Sequence, residues 1–199
     1  PETGTWAPTT PMWTPHDGCG AVLLRSGDVL VMGGIDDPDT LKPGNALNGV
    51  TEVYHPDTGE WELVGSMRTP RGIYRSTIVL ANGDVLVVGG ETILNQEIPA
   101  TASAEIYSPA TKEWRDTEPL DYPVMYSGSA LLPSGEVLLI GGCINGDCTD
   151  KDVLVRIYDP ISGKWRAAPP TRWARHSDTA GRLHAGKVLI VGGSAWARA

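Results

Sequence analysis

Gly83-Asp-Val-Leu-Val-Val-Gly-Gly90 is one of four copies of a single phrase in this chain. The others are Gly27-Asp-Val-Leu-Val-Met-Gly-Gly34, Gly135-Glu-Val-Leu-Leu-Ile-Gly-Gly142 and Gly186-Lys-Val-Leu-Ile-Val-Gly-Gly193. Their last glycines stand 56, 52 and 51 residues apart. A second phrase keeps the same phase: Val53-Tyr54-His-Pro-Asp-Thr-Gly-Glu-Trp61, Ile106-Tyr107-Ser-Pro-Ala-Thr-Lys-Glu-Trp114 and Ile157-Tyr158-Asp-Pro-Ile-Ser-Gly-Lys-Trp165, with seven residues from Tyr to Trp each time. Pro1-Glu-Thr-Gly-Thr-Trp6 aligns with Pro56-Asp-Thr-Gly-Glu-Trp61, which brings Trp6 into the register as an outermost strand and starts the chain inside a repeat. Self-similarity at about this period marks units that bury their apolar faces only by stacking on one another.

Each period reads as four strands, a to d: an apolar run such as Ser76-Thr-Ile-Val-Leu80, the Val-Leu run, the Tyr strand and the Trp strand. Ala81-Asn-Gly-Asp84 and Pro133-Ser-Gly-Glu136 are tight hairpin signals between a and b, and stretches such as Pro56 to Gly59 join c to d, so the pairing is antiparallel. Strand b is apolar at every position, which predicts cover on both faces. Composition agrees: 24 Gly and 16 Pro in 199 residues are too many for helices, and 41% hydrophobic residues are too many for disorder. No apolar run approaches the roughly 20 residues of a spanning helix, so no membrane insertion is expected. With 24 acidic residues against 16 Lys plus Arg the chain carries a charge of −8 and should repel phosphate backbones, which argues against nucleic acid as a partner.

The period, the Gly-Gly pair and the Tyr and Trp at fixed offsets resemble the kelch repeat, the blade unit of kelch β-propellers. The resemblance implies an all-β fold of four-stranded antiparallel blades, about four repeats over residues 1–199 in phases 1–55, 56–108, 109–159 and 160–199. Tyr54, Tyr107, Tyr158, Trp61, Trp114 and Trp165 then pack between blades. The strand count leaves two expectations. Either the first d strand closes a ring with strands a and b of the last repeat, Ser194 to Ala199 serving as c, or the chain is an arc of a longer propeller or one completed by a second copy. An open arc bares pairing edges and apolar faces and should self-associate.

Pro123-Val-Met-Tyr-Ser-Gly-Ser-Ala-Leu-Leu-Pro-Ser-Gly-Glu-Val137, followed by Gly141-Gly-Cys-Ile-Asn-Gly-Asp-Cys-Thr149, is similar to the galactose oxidase group of secreted radical-copper enzymes. In that group strand a carries a Tyr-His pair that binds copper; here the pair reads Met125-Tyr126, and His16, His55, His176 and His184 are scattered, so copper is not expected. Cys143 and Cys148 enclose a short loop and are read as a disulfide, which places the protein in an extracellular, periplasmic or cell-surface setting. Cys19 is read as a buried small hydrophobe in strand a, without the basic neighbour a catalytic thiol needs. The acidic loops after strand b offer Asp36, Asp37 and Asp39, and Asn145, Asp147 and Asp150, as weak calcium candidates, a solvated turn being the simpler account.

The b-to-c loops share one face with the d-to-a connections, which carry Trp13, His16, Arg71, Tyr74, Arg75, Tyr122, Tyr126, Trp173, Arg175 and His176. Aromatic planes beside planar donors suit sugar rings, carboxylates or a partner's loops, while an Arg before strand a equally well locks blades together. The expected function is a non-catalytic propeller module that binds a protein or glycan through this face, with no cofactor. The alternatives are a fragment of a copper oxidase, or a structural or engineered partial propeller that oligomerises to complete its ring.

Overall fold

The structure is a computed structural model, and it describes residues 4–35, 47–72, 76–92, 100–144, 154–173, 176–184 and 186–194. Among these the regular elements are all strands. β1 (Gly20–Leu23), β2 (Val29–Met32), β3 (Thr51–His55) and β4 (Glu60–Leu63) form the first four-stranded sheet, in that order. β5 (Thr77–Val79), β6 (Val85–Val88), β7 (Ala104–Ser108) and β8 (Glu113–Thr117) form the second. β9 (Val124–Met125) and β12 (Cys143–Ile144) pair on their own, flanking the third sheet of β10 (Gly128–Leu131), β11 (Val137–Ile140), β13 (Val155–Asp159) and β14 (Lys164–Ala167). β15 (His176–Arg182) and β16 (Val188–Ser194) make a two-stranded fourth. Every pairing is antiparallel, and the innermost strands lie side by side, β1 against β5, β5 against β10 and β10 against β15.

The sequence of strand b follows from its place between sheets. Val85 and Val87 of β6 face the first sheet, joining Leu30, Met32, Val53, Tyr107 and Trp114 in one core. Leu86 and Val88 of the same strand face the third sheet, with Ile106, Val137, Leu139 and Tyr158. Alternate residues of one strand thus enter different cores, so no position is left for a polar side chain. Each fully buried aliphatic side chain contributes roughly 1.5–3 kcal/mol of hydrophobic stabilisation. The Tyr and Trp of each repeat are opposite one another on strands c and d, with ring centroids 5.0, 5.4 and 4.9 Å apart for Tyr54–Trp61, Tyr107–Trp114 and Tyr158–Trp165. They also reach the neighbouring sheet, because Trp114 Nε1 donates to Thr51 Oγ1 and Trp165 Nε1 to the Glu118 carbonyl.

In the first two repeats the second glycine of the pair is a contact point between blades. At Gly34 (φ +100°) and Gly90 (φ +109°) a Cβ would stand 2.5 Å from the carbonyl oxygens of Asp17 and Gly72. Their N–H groups bond to the next blade, Gly34 to the Arg71 oxygen at 2.9 Å and Gly90 to the Val124 oxygen at 2.8 Å. Only glycine supplies both the positive φ and the room.

Two expectations are corrected. Trp6 is fully exposed and its segment forms no strand, although Thr9 Oγ1 meets the Tyr54 hydroxyl at 2.8 Å, as Thr117 Oγ1 meets Tyr158. The segment keeps the inter-blade contact without a ladder. The fourth Val-Leu run is not covered on both faces either: Leu189 and Val191 of β16 are about half exposed, because among the described residues β16 pairs with β15 alone. The stretch 195–199, expected as a closing strand, lies outside the described residues.

Candidate functional site

The loop face is organised by two glutamates that the sequence reading passed over. Glu52 of β3 and Glu105 of β7 each stand two residues before the blade Tyr, and both are fully buried. Burial works to raise the Glu52 carboxyl, but the Thr14 hydroxyl, the Trp13 and Thr14 N–H groups and His16 together hold it below the usual carboxylate range. The distances are 2.6 Å from Thr14 Oγ1, 2.9 and 2.8 Å from the Trp13 and Thr14 nitrogens, and 3.2 Å from His16 Nε2. His16 Nδ1 lies 2.6 Å from the Gly33 oxygen.

The second blade repeats this with a guanidinium in place of the imidazole. Glu105 accepts from the Arg68 and Thr69 N–H groups at 2.8 and 3.1 Å and from Arg71 Nη2 at 2.5 Å. The Arg71 guanidinium also donates to Gly89 O, Ser103 O, Ser103 Oγ and Thr69 O. Burial pulls the Arg71 pKa down, and Glu105 opposes that shift. In the third blade both members change together: Val124 stands where His16 and Arg71 stand, and Arg156 replaces the glutamate. Arg156 instead meets Asp121 Oδ2 at 3.2 Å and lies 5.2 Å from the centre of the Tyr122 ring. The signal was present in the sequence as a concerted change ten residues after Trp and two before Tyr, but it becomes legible only once the two positions are known to touch.

Of the residues expected to form a ligand face, His16 and Arg71 are therefore buried within their blades, their donors engaged by the fold. His176 is buried at the start of β15, and Tyr122 and Tyr126 are half-buried. Tyr126 has φ +61°, the left-handed conformation that Gly18 and Ser177 share at the equivalent place in other repeats. Burial raises its phenol pKa, and Glu91 adds to the rise. Met125, beside it, is buried. Trp13 and Trp173 are open to solvent, at 68% and 63% exposure. Trp13 Nε1 donates to the Trp61 oxygen at 3.3 Å, beside a groove of about 320 Å³ lined by Thr10, Pro11, Trp13, Glu60 and Trp61, and the Arg172 guanidinium stacks 5.3 Å from the Trp173 ring centre.

Tyr74, Arg75 and Arg175 lie outside the described residues, as do Asp36, Asp37, Asp39, Asn145, Asp147, Asp150 and Cys148. Among the described residues no three His, Cys, Asp or Glu side chains gather as a metal site would require. Cys143 is disulfide-bonded. Cys19 is a free thiol just before β1, partly exposed and not the buried hydrophobe expected; the burial it has raises its pKa, and Asp17 adds to this.

Radially stacked four-stranded antiparallel sheets with inner strands side by side, glycine-pair junctions and paired Tyr and Trp define a β-propeller of kelch type. The chain has the kelch-repeat fold, and its relatives agree. It is 29% identical to Beta-scruin of Limulus polyphemus over 92% of this chain and 20% of that protein. It is 29% identical to Kelch repeat and BTB domain-containing protein 12 of Danio rerio over 81% of this chain and 27% of that protein, and 28% identical to Kelch-like protein terF of Aspergillus terreus over 96% and 41%. The chain thus spans between a fifth and about two fifths of these curated relatives. Among solved structures it is similar to YjhT, with a TM-score of 0.77 and 15% identity over 97% of this chain and 64% of that one. No protein-family model matches the chain.

Proposed function

We propose that this chain is a propeller module that binds a protein partner through its loop face and contributes no chemistry of its own. The observation that carries this is the division of labour on that face. The buried side chains of His16 and Arg71 serve the glutamates of their own blades, while the aromatic surfaces of Trp13 and Trp173 are left to solvent. Large exposed indoles on loops held by a scaffold are the usual anchors of a protein interface. Similarity to kelch proteins is consistent with such a role.

The experiment is affinity capture by the wild type and by a Trp13→Ala/Trp173→Ala variant, with a glycan array run on both. A protein retained by the wild type and lost by the variant at unchanged Tm supports the reading. Protein capture that survives the variant, or saturable glycan binding without protein capture, overturns it. An extracellular, periplasmic or cell-surface setting is part of the proposal and rests on the Cys143 disulfide, since such bonds persist in oxidising compartments.

A second reading, self-association, is favoured by β16. Its Leu189 and Val191 are exposed where the equivalent Leu86 and Val88 are buried, so an edge strand of a second copy would find both a ladder and an apolar face. Light scattering that returns the monomer mass at high micromolar concentration removes this reading.

A further inference from the structure

The a–b and c–d hairpins form the face opposite the loops, and there the repeats are not alike. At each described junction, the residue after the last strand-a leucine lies over the hairpin glycine of the next blade. Arg25 lies over Gly83, with its Cδ 3.2 Å from where a Cβ would be; Ala81 lies over Gly135 at 3.7 Å; Pro133 lies over Gly186 at 3.2 Å. Between the first and second blades the long Arg25 side chain covers the junction and donates from Nη2 to the Ala81 carbonyl, 56 residues away. Between the second and third blades the same place holds only the methyl group of Ala81. There the structure has a cavity of about 220 Å³, walled by Leu80, Ala81, Gly135 and Ile161 and rimmed by Glu136 and Asp159.

We infer that this cavity is a binding site for an arginine side chain presented by a partner, which fills the second junction as Arg25 fills the first. The occupied junction shows what the backbone of this repeat accommodates: an alkyl stem lying on the hairpin glycine and a guanidinium reaching a main-chain carbonyl. The empty junction adds an apolar lip and a second carboxylate to what the occupied one has. Ile161, 97% exposed at the tip of the β13–β14 hairpin, forms an apolar lip over which the stem can lie. Glu136, at the place of Asp84 in the occupied junction, and Asp159, where that junction has Ser108, supply carboxylates. Glu136 accepts from Arg166 at 2.8 Å and from Ser134 at 2.9 Å, and Asp159 accepts from the Ile161 N–H and from the Ser162 hydroxyl and N–H; a carboxylate offers about four lone-pair sites, so both groups keep capacity for a planar donor. Arg166 first and then Ser134 hold Glu136 below the usual carboxylate range; Ser162 and the Ile161 N–H do the same for Asp159, so both are ionised at neutral pH. The overall charge of −8 favours a cationic ligand. The site is distinct from the loop face and stands or falls separately from it.

The test is an amide NMR titration of the whole chain with N-acetyl-arginine amide, using N-acetyl-citrulline amide as the isosteric neutral control. Saturable shifts at Ala81, Gly135 and Ile161, at least tenfold weaker for citrulline, are expected. Ala81→Arg supplies the plug from within and should abolish them. Arg25→Ala, at an exposed position, should open the first junction and bring a second set of saturable shifts at Gly83. Absence of saturable shifts in the wild type, equal response to citrulline, persistence in the Ala81→Arg protein, or no new site in a folded Arg25→Ala protein each overturn the assignment.

Discussion

The Arg71–Glu105 pair lends itself to a double-mutant cycle, because both side chains are completely buried and the third blade shows the position working without them. Arg71→Met leaves the Glu105 carboxylate buried with two N–H donors, from Arg68 and Thr69, but no cation. It also strips donors from the carbonyls of Gly89 and Ser103. Glu105→Leu leaves a guanidinium in the core with only neutral acceptors. Breaking a buried pair from one side costs about 3–5 kcal/mol. The double variant removes both charges, so its residual cost is that of the backbone groups left unpaired, about 1–3 kcal/mol for each group that water does not reach. We expect each single variant to lose about 3–5 kcal/mol in urea unfolding, and the double to lose about the same as one single and not their sum, a coupling of at least about 2 kcal/mol. Since such a loss is a large share of a domain's stability, amide exchange at β6 and β7 gives a second readout in folded protein. Single losses below about 1 kcal/mol, or additive ones, would refute the claim that this pair holds the blade together.

Lys112 (φ +58°) occupies the c–d hairpin position that is glycine at Gly59 and Gly163. Lys112→Gly should therefore raise the Tm, relieving about 1–2 kcal/mol of left-handed strain against an exposed Glu62 ion pair worth under about 1 kcal/mol; a lower Tm contradicts this. Gly90→Ala and Gly27→Ala separate collision from strain, since both have φ near +100° but only Gly90 has backbone within 4 Å. Gly90→Ala should lower the Tm at least twice as much as Gly27→Ala. His55 lies 2.9 Å from Asp28 and 3.3 Å from Glu62; the Asp28 bond first, and then Glu62, raise its pKa against some burial. The stability it adds is complete below its unfolded value of about 6.5 and is lost as pH rises through the higher folded value. Asp28, lowered by Ser26 and His55, and Glu62, lowered by Lys112 and His55, add stability that is present above their ordinary values and lost as pH falls through the depressed ones. Wild type should lose more Tm than His55→Asn between about pH 6 and pH 8, and equal losses would remove His55 from the account.

How much of this was legible in the sequence differs from residue to residue for physical reasons. Strand b could be read directly at Val85-Leu-Val-Val88, which has nowhere to put a polar face and lies between two layers, with the glycine pair ending it where backbones meet; the equally apolar Val188-Leu-Ile-Val191 shows that such cover also needs neighbouring strands on both sides. Trp6 misled, because its register matched that of Trp61 while the packing that would have buried it is absent. Arg71 could be read two ways, as a ligand contact or as a lock. A guanidinium suits both, and only the positions of Gly89, Ser103 and Glu105 around it select the lock.

The sequence by itself determined the repeat, the four-stranded antiparallel unit, the two-faced burial of strand b in the first three repeats and the structural role of the Tyr and Trp. All of these follow from local periodicity and turn chemistry, which act within a single unit of about 50 residues. The tertiary structure alone decided which charges are consumed and where a hole remains. Arg71 meets Glu105 across 34 residues, and Arg25 covers a junction that Ala81 leaves open one blade further on. Such outcomes depend on which side chains different parts of the chain bring to one place, and a buried charge or an unfilled gap has no signature until that place exists.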